Sequence, residues 1–519
     1  MKTIIKYLFV PLLIFSGTSC GDFLDQKPKE FLESSDINSI DELNQALTGT
    51  YRSLIASRTN LDPLIMDFMC DNGVSDQPDD FAVWNGSHTA TSGGVAEGKW
   101  IRDYEGILRA NTVLYYAPLL QDASEEQCNQ IIAEARFLRA LFYADLIQNF
   151  GAVPYRTEPE GVDKKISPRV DEKEILGHIM EDLEFAEEHL PVSYPAAEFG
   201  RATKGAAIAF QARYYLFYHM YDKCVEACRK VMDLGVYDLH PSYKELFTPA
   251  VEQTNKEYIF QDIFIAGADL QGLSGCFWTM LSAIGSKMVS HNLTEEYYMK
   301  ANGLRYDAPG SGYSNRTPYE GRDPRLLFNI KVNQEYKYGE VRTGYKVQKF
   351  VDDDANPQLI HRNDEVDYPL MRYADVLLML AEASLESGNY NYDEVVGLVD
   401  RIRQRGDVMM PTVAQAEGLN GMLSTDELRQ VIRHERRVEF PFEGLRFADI
   451  RRWKIGAEAF SDCYAVRKIT NEDDPNNPYV YYKKELYLSR TFNEAKGYLW
   501  PIPAIEIQTN PMENNPGYE

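Results

Sequence analysis

Two glutamates one helical turn apart, Glu435 and Glu439, lie in the densest run of charge in the chain, RHERRVEFPFEGLRFADIRRW from Arg433 to Trp453. Paired carboxylates do the acid–base work of glycoside hydrolysis, but they must flank the bond being broken. Neighbours on one helix face sit on the same side of any ligand. Arg433, Arg436, Arg437 and Arg446 would also hold both acids ionised, whereas a general acid needs its pKa raised. The run therefore reads as a structural ion-pair network, and an enzyme is not expected. No G-x-S-x-G, H-E-x-x-H or G-x-x-x-x-G-K-[ST] motif occurs. The eight histidines are scattered, among them His88 in an irregular loop, His240 before Pro241 and His434 in the charge run. Neither a metal site nor a cofactor is expected. Cys224 and Cys228, four apart on an apparent helix, lack further ligands nearby and read as core.

The loop aromatics are the stronger lead. Asp71 to Lys99, DNGVSDQPDDFAVWNGSHTATSGGVAEGK, sets Phe81 and Trp84 among Asp80, Asn85 and His88; Phe277 and Trp278 follow Gly272 and Gly275. A sugar offers a C–H face that packs on a ring and a hydroxyl rim that pairs with short polar side chains. Trp84, Asn85, Asp80, Phe81, His88, Phe277 and Trp278 are thus the candidate ligand-binding residues. The competing reading is that each loop Trp plugs its loop onto the body. Trp100, Trp453 and Trp500 stand in amphipathic or apolar contexts and are assigned to core.

The elements that carry these loops are mostly helical. Ser124 and Gln127 form a capping box before an apolar stripe running from Cys128 to Leu146, ended by Gly151. Helices follow over Asp171 to His189, Thr203 to Met220 and Asp222 to Asp233, the last stopped by Gly235. Tyr373 to Ser387 is stopped by Gly388, Asn391 caps its successor, and Ser424 with Glu427 caps another. Two helix–turn–helix units, near Ala202–Gly235 and Arg372–Gly406, each have the length of a tetratricopeptide repeat. The expected fold is predominantly all-α: a superhelix of tetratricopeptide-like helical pairs, about 35–235 and 369–455, packed against an irregular, loop-rich, ligand-facing region at about 236–368. With 519 residues, 44% hydrophobic, the chain can bury a large core. Its formal charge of −25 argues against nucleic acid as a partner, since an acidic surface repels polyanions.

The N-terminus, MKTIIKYLFVPLLIFSGTSC, has two lysines, a nine-residue apolar run and four small residues leading into Cys20. That is the layout of a secretory signal, here residues 1–19, with 20–519 as a single mature body. The apolar run spans roughly 14 Å, too short to cross the ~30 Å of a bilayer core. Small residues running into a cysteine resemble a bacterial lipoprotein cleavage site, so Cys20 is the expected lipidation position. An ordinary secretory signal with a chance cysteine is the alternative.

Taken together, these segments resemble the SusD/RagB family of nutrient-binding outer-membrane lipoproteins. Those that carry the resemblance are Cys20-Gly21-Asp22-Phe23-Leu24-Asp25, ARFLRALFYADLIQNFGAVPY (Ala135 to Tyr155), GRATKGAAIAFQARYYLF (Gly200 to Phe217), Asp323 to Leu326, PLMRYADVLLMLAEASLESGN (Pro369 to Asn389), the Arg433–Trp453 run, and the closing YLWPIPAIEIQTNP. Asp375, where glutamate is commoner, and Arg405-Gly406-Asp407 are small departures. The resemblance implies a cell-surface, lipid-anchored protein of the outer membrane that binds oligosaccharides or polysaccharides without cleaving them. It also implies delivery of that cargo to a partner, a TonB-dependent SusC-like transporter. Peptide cargo in the same transport role, or a glycan-degrading enzyme, are the alternatives. No ligand residue carries over by motif.

Overall fold

The computed structural model describes residues 37–54, 62–75, 87–92, 94–157, 166–264, 287–332, 342–351, 366–419, 421–471 and 479–518. Cys20 lies outside them. Among the described residues no helix is long and apolar enough to cross a membrane.

Helices in the first half stack in chain order: α1 (Ile40–Tyr51), α2 (Gly94–Tyr116), α3 (Glu125–Phe150), α4 (Glu172–His189), α5 (Lys204–Phe217) and α6 (Tyr221–Asp233), each packed on its predecessor. α3 starts where the sequence places it. Ser124 Oγ accepts from the Gln127 amide while the Gln127 side chain returns to the Ser124 amide, and Gly151 ends the helix at a positive φ of 70°. α2 begins at Gly94, inside the stretch expected to be irregular, because Trp100, Ile107, Ala110 and Val113 all pack inward from it. α2 and α3 come close at Gly106, where a Cβ would meet the Phe142 ring at 2.5 Å.

The stack then crosses a long insertion. α6 packs on α8 (Tyr373–Ser387), which pairs with α9 (Tyr392–Arg403), and α10 (Thr425–Glu439) packs on α8; α7 is the short helix His291–Glu295 within the insertion. The two tetratricopeptide-like pairs are therefore neighbours in space, and their apolar faces bury one another as stacked repeats require. Cys224 and Cys228 lie in this interface, fully buried, with sulfurs 4.0 Å apart. α11 (Leu445–Trp453) closes the helical body. Trp100 and Trp500 are buried and pack edge-on against Phe150, as expected of core residues. Trp453 is half-buried, with Arg433 and Arg452 stacked on its ring and its Nε1 donating to Glu382 at 2.6 Å.

The insertion carries a second core built on Tyr243, Phe247, Tyr297, Tyr345, Phe350 and Tyr368. Its strands are short. β1 (Tyr258–Asp262) pairs antiparallel with β3 (Tyr368–Arg372), Tyr258 opposite Arg372 and Asp262 opposite Tyr368, while β2 (Tyr345–Val347) pairs with residues 330–332. One long hairpin follows the helical body: β4 (Cys463–Asn471) and β5 (Tyr479–Leu488), with Tyr482 opposite Lys468 and Lys484 opposite Val466. It lies beyond the helical span of about 369–455 expected from the sequence. Tyr482 and Lys484, two positions apart, share one face of the hairpin with Val466, which stands opposite Lys484.

The charge run holds the two cores together. Glu439 accepts from Arg325, Arg372 and Arg405 at 2.8, 2.8 and 2.9 Å, and Glu435 accepts from Arg325 at 2.6 Å. Arg372 also reaches Glu257 at 2.7 Å and Glu443 at 2.6 Å. The network is the expected one, but its partners are not the neighbours named from the sequence. Arg436 pairs with Asp375 and Asp449, and Arg437 and Arg446 both pair with Asp71. Neighbours on one helix point outward in a fan, so carboxylates on α10 are met by arginines from other elements.

Candidate functional site

Beneath the β4–β5 hairpin lies a cleft of about 220 Å³ lined by tyrosines. Three pieces of chain build it. α7 forms the floor: Ser290 caps it, accepting from the Asn292 amide at 3.1 Å, and it presents His291, Thr294 and Glu295. The irregular segment 306–322 supplies Tyr306, Tyr313, Asn315, Tyr319 and Arg322. β2 adds Tyr345 at the back, and the inward face of the hairpin adds Val466, Tyr482 and Lys484.

The rings stand at steep angles to one another: Tyr306 to Tyr313 at 69° and 5.0 Å, Tyr319 to Tyr482 at 72° and 5.7 Å, and Tyr319 to Tyr345 at 88° and 6.2 Å. Edge-to-face packing of this kind lets neighbouring rings support each other while leaving faces available. Buried Arg322 fixes the segment from below. It donates to the carbonyls of Tyr297, Pro318 and Thr294, and its guanidinium sits 5.0 Å from the Tyr306 ring centre. All three acceptors are backbone, so this cation serves as a structural pin.

Glu295 is the one carboxylate among the described residues lining the cleft. It accepts from Tyr306 Oη at 2.5 Å and from Lys484 Nζ at 2.8 and 2.9 Å. Burial works against its charge, but the hydrogen bonds from Lys484 and Tyr306 outweigh burial and hold its pKa below the usual value. Burial pushes His291 down to about 4, against the pull of Glu295, so its ring is neutral near pH 7. Tyr345 Oη and Thr294 Oγ1 each lie 2.9 Å from its Nδ1. The cleft thus offers ring faces, a carboxylate–ammonium pair and exposed Asn315 at the rim. It can stack on sugar rings and exchange hydrogen bonds with hydroxyls. Glycosidic cleavage by the usual route needs a second carboxylate across the bond, and the described lining does not supply one.

The residues named from the sequence fall differently. Trp84, Asn85, Asp80, Phe81, Phe277 and Trp278 lie outside the described residues. His88 is buried: its Nε2 is 2.5 Å from Tyr518 Oη, and the two rings sit 5.3 Å apart. It is tucked under the C-terminus instead of on a loop surface. The tyrosine cleft was not singled out from the sequence. A signal was present: Tyr306, Tyr313 and Tyr319 recur within a Gly/Pro-punctuated segment, and Tyr464 and Tyr482 stand in the hairpin.

Comparisons with known proteins agree with this architecture. Residues 22–216 match the family model described as "Starch-binding associating with outer membrane", and residues 333–518 match the model of the SusD family. A SusD-like protein of Formosa agariphila is 27% identical over 99% of both chains. A solved SusD-like protein from Bacteroides fragilis superposes with a TM-score of 0.78 at 28% identity, covering 94% of this chain and 99% of the other. A second structure from Bacteroides fragilis, a SusD-like carbohydrate binding protein, has a TM-score of 0.78 at 26% identity over 91% and 99%. With two matched segments, near end-to-end relatives and the shared helical fold, the chain belongs to the SusD/RagB family.

Proposed function

We propose that this protein captures oligosaccharides or polysaccharides at the cell surface in the tyrosine cleft and passes them, uncleaved, to a TonB-dependent SusC-like transporter. The observation that carries the reading is the cleft itself: five tyrosines set at steep mutual angles around Glu295, Lys484 and Asn315. Similarity to a SusD-like carbohydrate binding protein supports it, as does a family model named for association with the outer membrane. Lipid on Cys20 would tether the body there, since a doubly acylated cysteine anchors stably where one chain does not. Trp84 and Trp278, with Asp80, Phe81, Asn85 and Phe277, are proposed as further stacking and hydrogen-bonding groups.

A glycan array with the purified mature body identifies the cargo class. Calorimetry then compares Tyr306→Ala and Tyr482→Ala with Trp84→Ala and Trp278→Ala on the glycan found. Stacking on an aromatic ring is worth roughly 0.5–1.5 kcal/mol beyond buried area, so each ring that carries cargo should cost about two- to thirteenfold in Kd when removed. Unchanged affinity in all four variants rejects this placement. Binding of peptides but no glycan rejects the cargo.

A further inference from the structure

A cavity of about 440 Å³ lies between the C-terminal end of α1, residues 199–201 and the end of β1, and shares no lining residue with the tyrosine cleft. That volume falls in the range of small-molecule sites, about 300–1,000 Å³. Gly200 makes one wall possible. At a φ of 92° it lets its segment lie against β1, where any Cβ would strike Ile263. Tyr51 and Phe199, both half-buried, are on the lining. Tyr51 Oη donates to Glu134 at 2.6 Å and accepts from the Ala202 amide at 2.9 Å, so Tyr51 has only its ring to offer.

Asp262, the last residue of β1, stands apart from the other polar groups here. It is 4% exposed, and its carboxylate accepts no hydrogen bond from any described residue. It lines the cavity and keeps open surface, unlike the polar atoms that the fold seals off elsewhere. The groups around it are engaged. Asp367 accepts from Gln261 Nε2 at 2.6 Å and from the Phe264 amide at 2.9 Å. Arg201 spends its guanidinium on Glu134 at 2.8 Å, Asn44 at 3.4 Å and Glu198 at 3.4 Å. Arg52 is exposed at the rim, and Arg102 on α2 acts on Asp262 only through space. Burial, and then Asp367, raise the pKa of Asp262 to about 7 against the weaker pull of Arg102. A buried acceptor without a donor destabilises the fold, so a ligand that donates hydrogen bonds restores what is missing.

The charge of that ligand follows from its surroundings. Arg52 and Arg102 disfavour a further full positive charge, and Asp262 disfavours an anion. A neutral donor meets neither penalty. Hydroxyls donate to a carboxylate in short, charge-assisted bonds, and a C–H face packs on an aromatic ring. We infer that this cavity binds a small neutral polyol of monosaccharide size, its hydroxyls donating to Asp262 and its C–H face against Phe199. Such a ligand favours the ionised carboxylate, so binding near pH 7 releases protons and tightens as pH rises. In the tyrosine cleft His291 is already neutral and Glu295 already ionised, so the two sites differ in their response to pH.

The test is calorimetry of glucose, galactose and myo-inositol, with methylammonium chloride as the cationic control. It is run on the native mature body and on Tyr306→Ala/Tyr482→Ala, which mutes the cleft. At least one polyol should bind both proteins saturably and release protons near pH 7, seen as heats that vary with the ionisation enthalpy of the buffer. Its affinity should be about tenfold higher at pH 8 than at pH 5. Asp262→Asn, of nearly the same shape, should weaken the polyol about tenfold and abolish both the proton release and the pH slope. Phe199→Ala should weaken it about two- to thirteenfold. Glycan affinity at the tyrosine cleft should stay unchanged in Asp262→Asn, so this site and the cleft succeed or fail separately. No saturable polyol binding, binding of methylammonium alone, loss of polyol binding in the cleft variant, binding without a pH slope, or full binding by Asp262→Asn overturns the inference.

Discussion

Lys484 on the hairpin and Glu295 on α7 are joined at both carboxylate oxygens, at 2.8 and 2.9 Å, across 189 positions of sequence. That pair ties the roof of the cleft to its floor and fixes the separation of Tyr482 from the rings of segment 306–322. Lys484 is partly exposed, so the pair itself contributes little stability, about 1 kcal/mol or less. Its effect lies in pre-organisation. Lys484→Met should leave urea unfolding nearly unchanged and weaken the bound glycan severalfold by calorimetry. Glycan affinity of the native protein should be flat between about pH 5 and 8, because His291 is already neutral and Glu295 already ionised across that range.

Arg372 is the hub on which the two cores meet. Removing it as Arg372→Met leaves Glu257, Glu439 and Glu443 buried with fewer counter-charges. Breaking such a cluster typically costs about 3–5 kcal/mol, which urea denaturation would read as a lower midpoint. The same network sets acid stability. Burial opposes the Glu439 charge, but Arg405, Arg372 and Arg325 overcome it and hold the pKa at about 2 against 4.5. A depressed carboxylate stabilises the fold above 4.5 and loses that contribution as pH falls toward about 2. Stability followed by circular dichroism should fall steeply in that window, and less so in Glu439→Gln, which starts from lower stability at neutral pH.

Asp262 predicts the opposite sign. Burial first, and Asp367 beside it, raise its pKa to about 7 from 3.8. A raised carboxylate favours the fold below 3.8, and that advantage disappears as pH rises through about 7. Asp262→Asn should therefore gain stability relative to the native chain with increasing pH, by about 1–3 kcal/mol at pH 8 and by little near pH 4. Parallel melts at the two pH values check it.

Gly106 sits mid-helix, where alanine is normally better by about 1 kcal/mol. Here a Cβ would strike the Phe142 ring at 2.5 Å. Gly106→Ala should destabilise by about 1–3 kcal/mol, seen as a lower Tm, because α2 and α3 must move apart to admit the methyl group.

The helical body was legible because its signals are local. Ser124, Asn391 and Ser424 each precede an apolar stripe and each accepts from the backbone three residues on, so caps and periodicity agreed with tertiary packing. Glu435 and Glu439 were also legible as structural acids, though not their partners: Arg325, Arg372 and Arg405 come from distant segments, and spacing says nothing of what folds across. The cleft escaped for the same reason. Its tyrosines lie on an irregular segment, β2 and the hairpin, and their convergence is a property of the fold. His88 shows the converse error, since a polar loop sequence gave no sign that Tyr518, 430 positions on, would cover it.

The central claim is capture without cleavage. Its most direct test titrates the glycan found by array into native protein and into the double variant Tyr306→Ala/Tyr482→Ala, with reducing ends assayed in the same samples. The account predicts saturable binding by the native chain, affinity lower by an order of magnitude or more in the double variant, and no new reducing ends in either. New reducing ends from the native protein, or equal affinity in both, would contradict it.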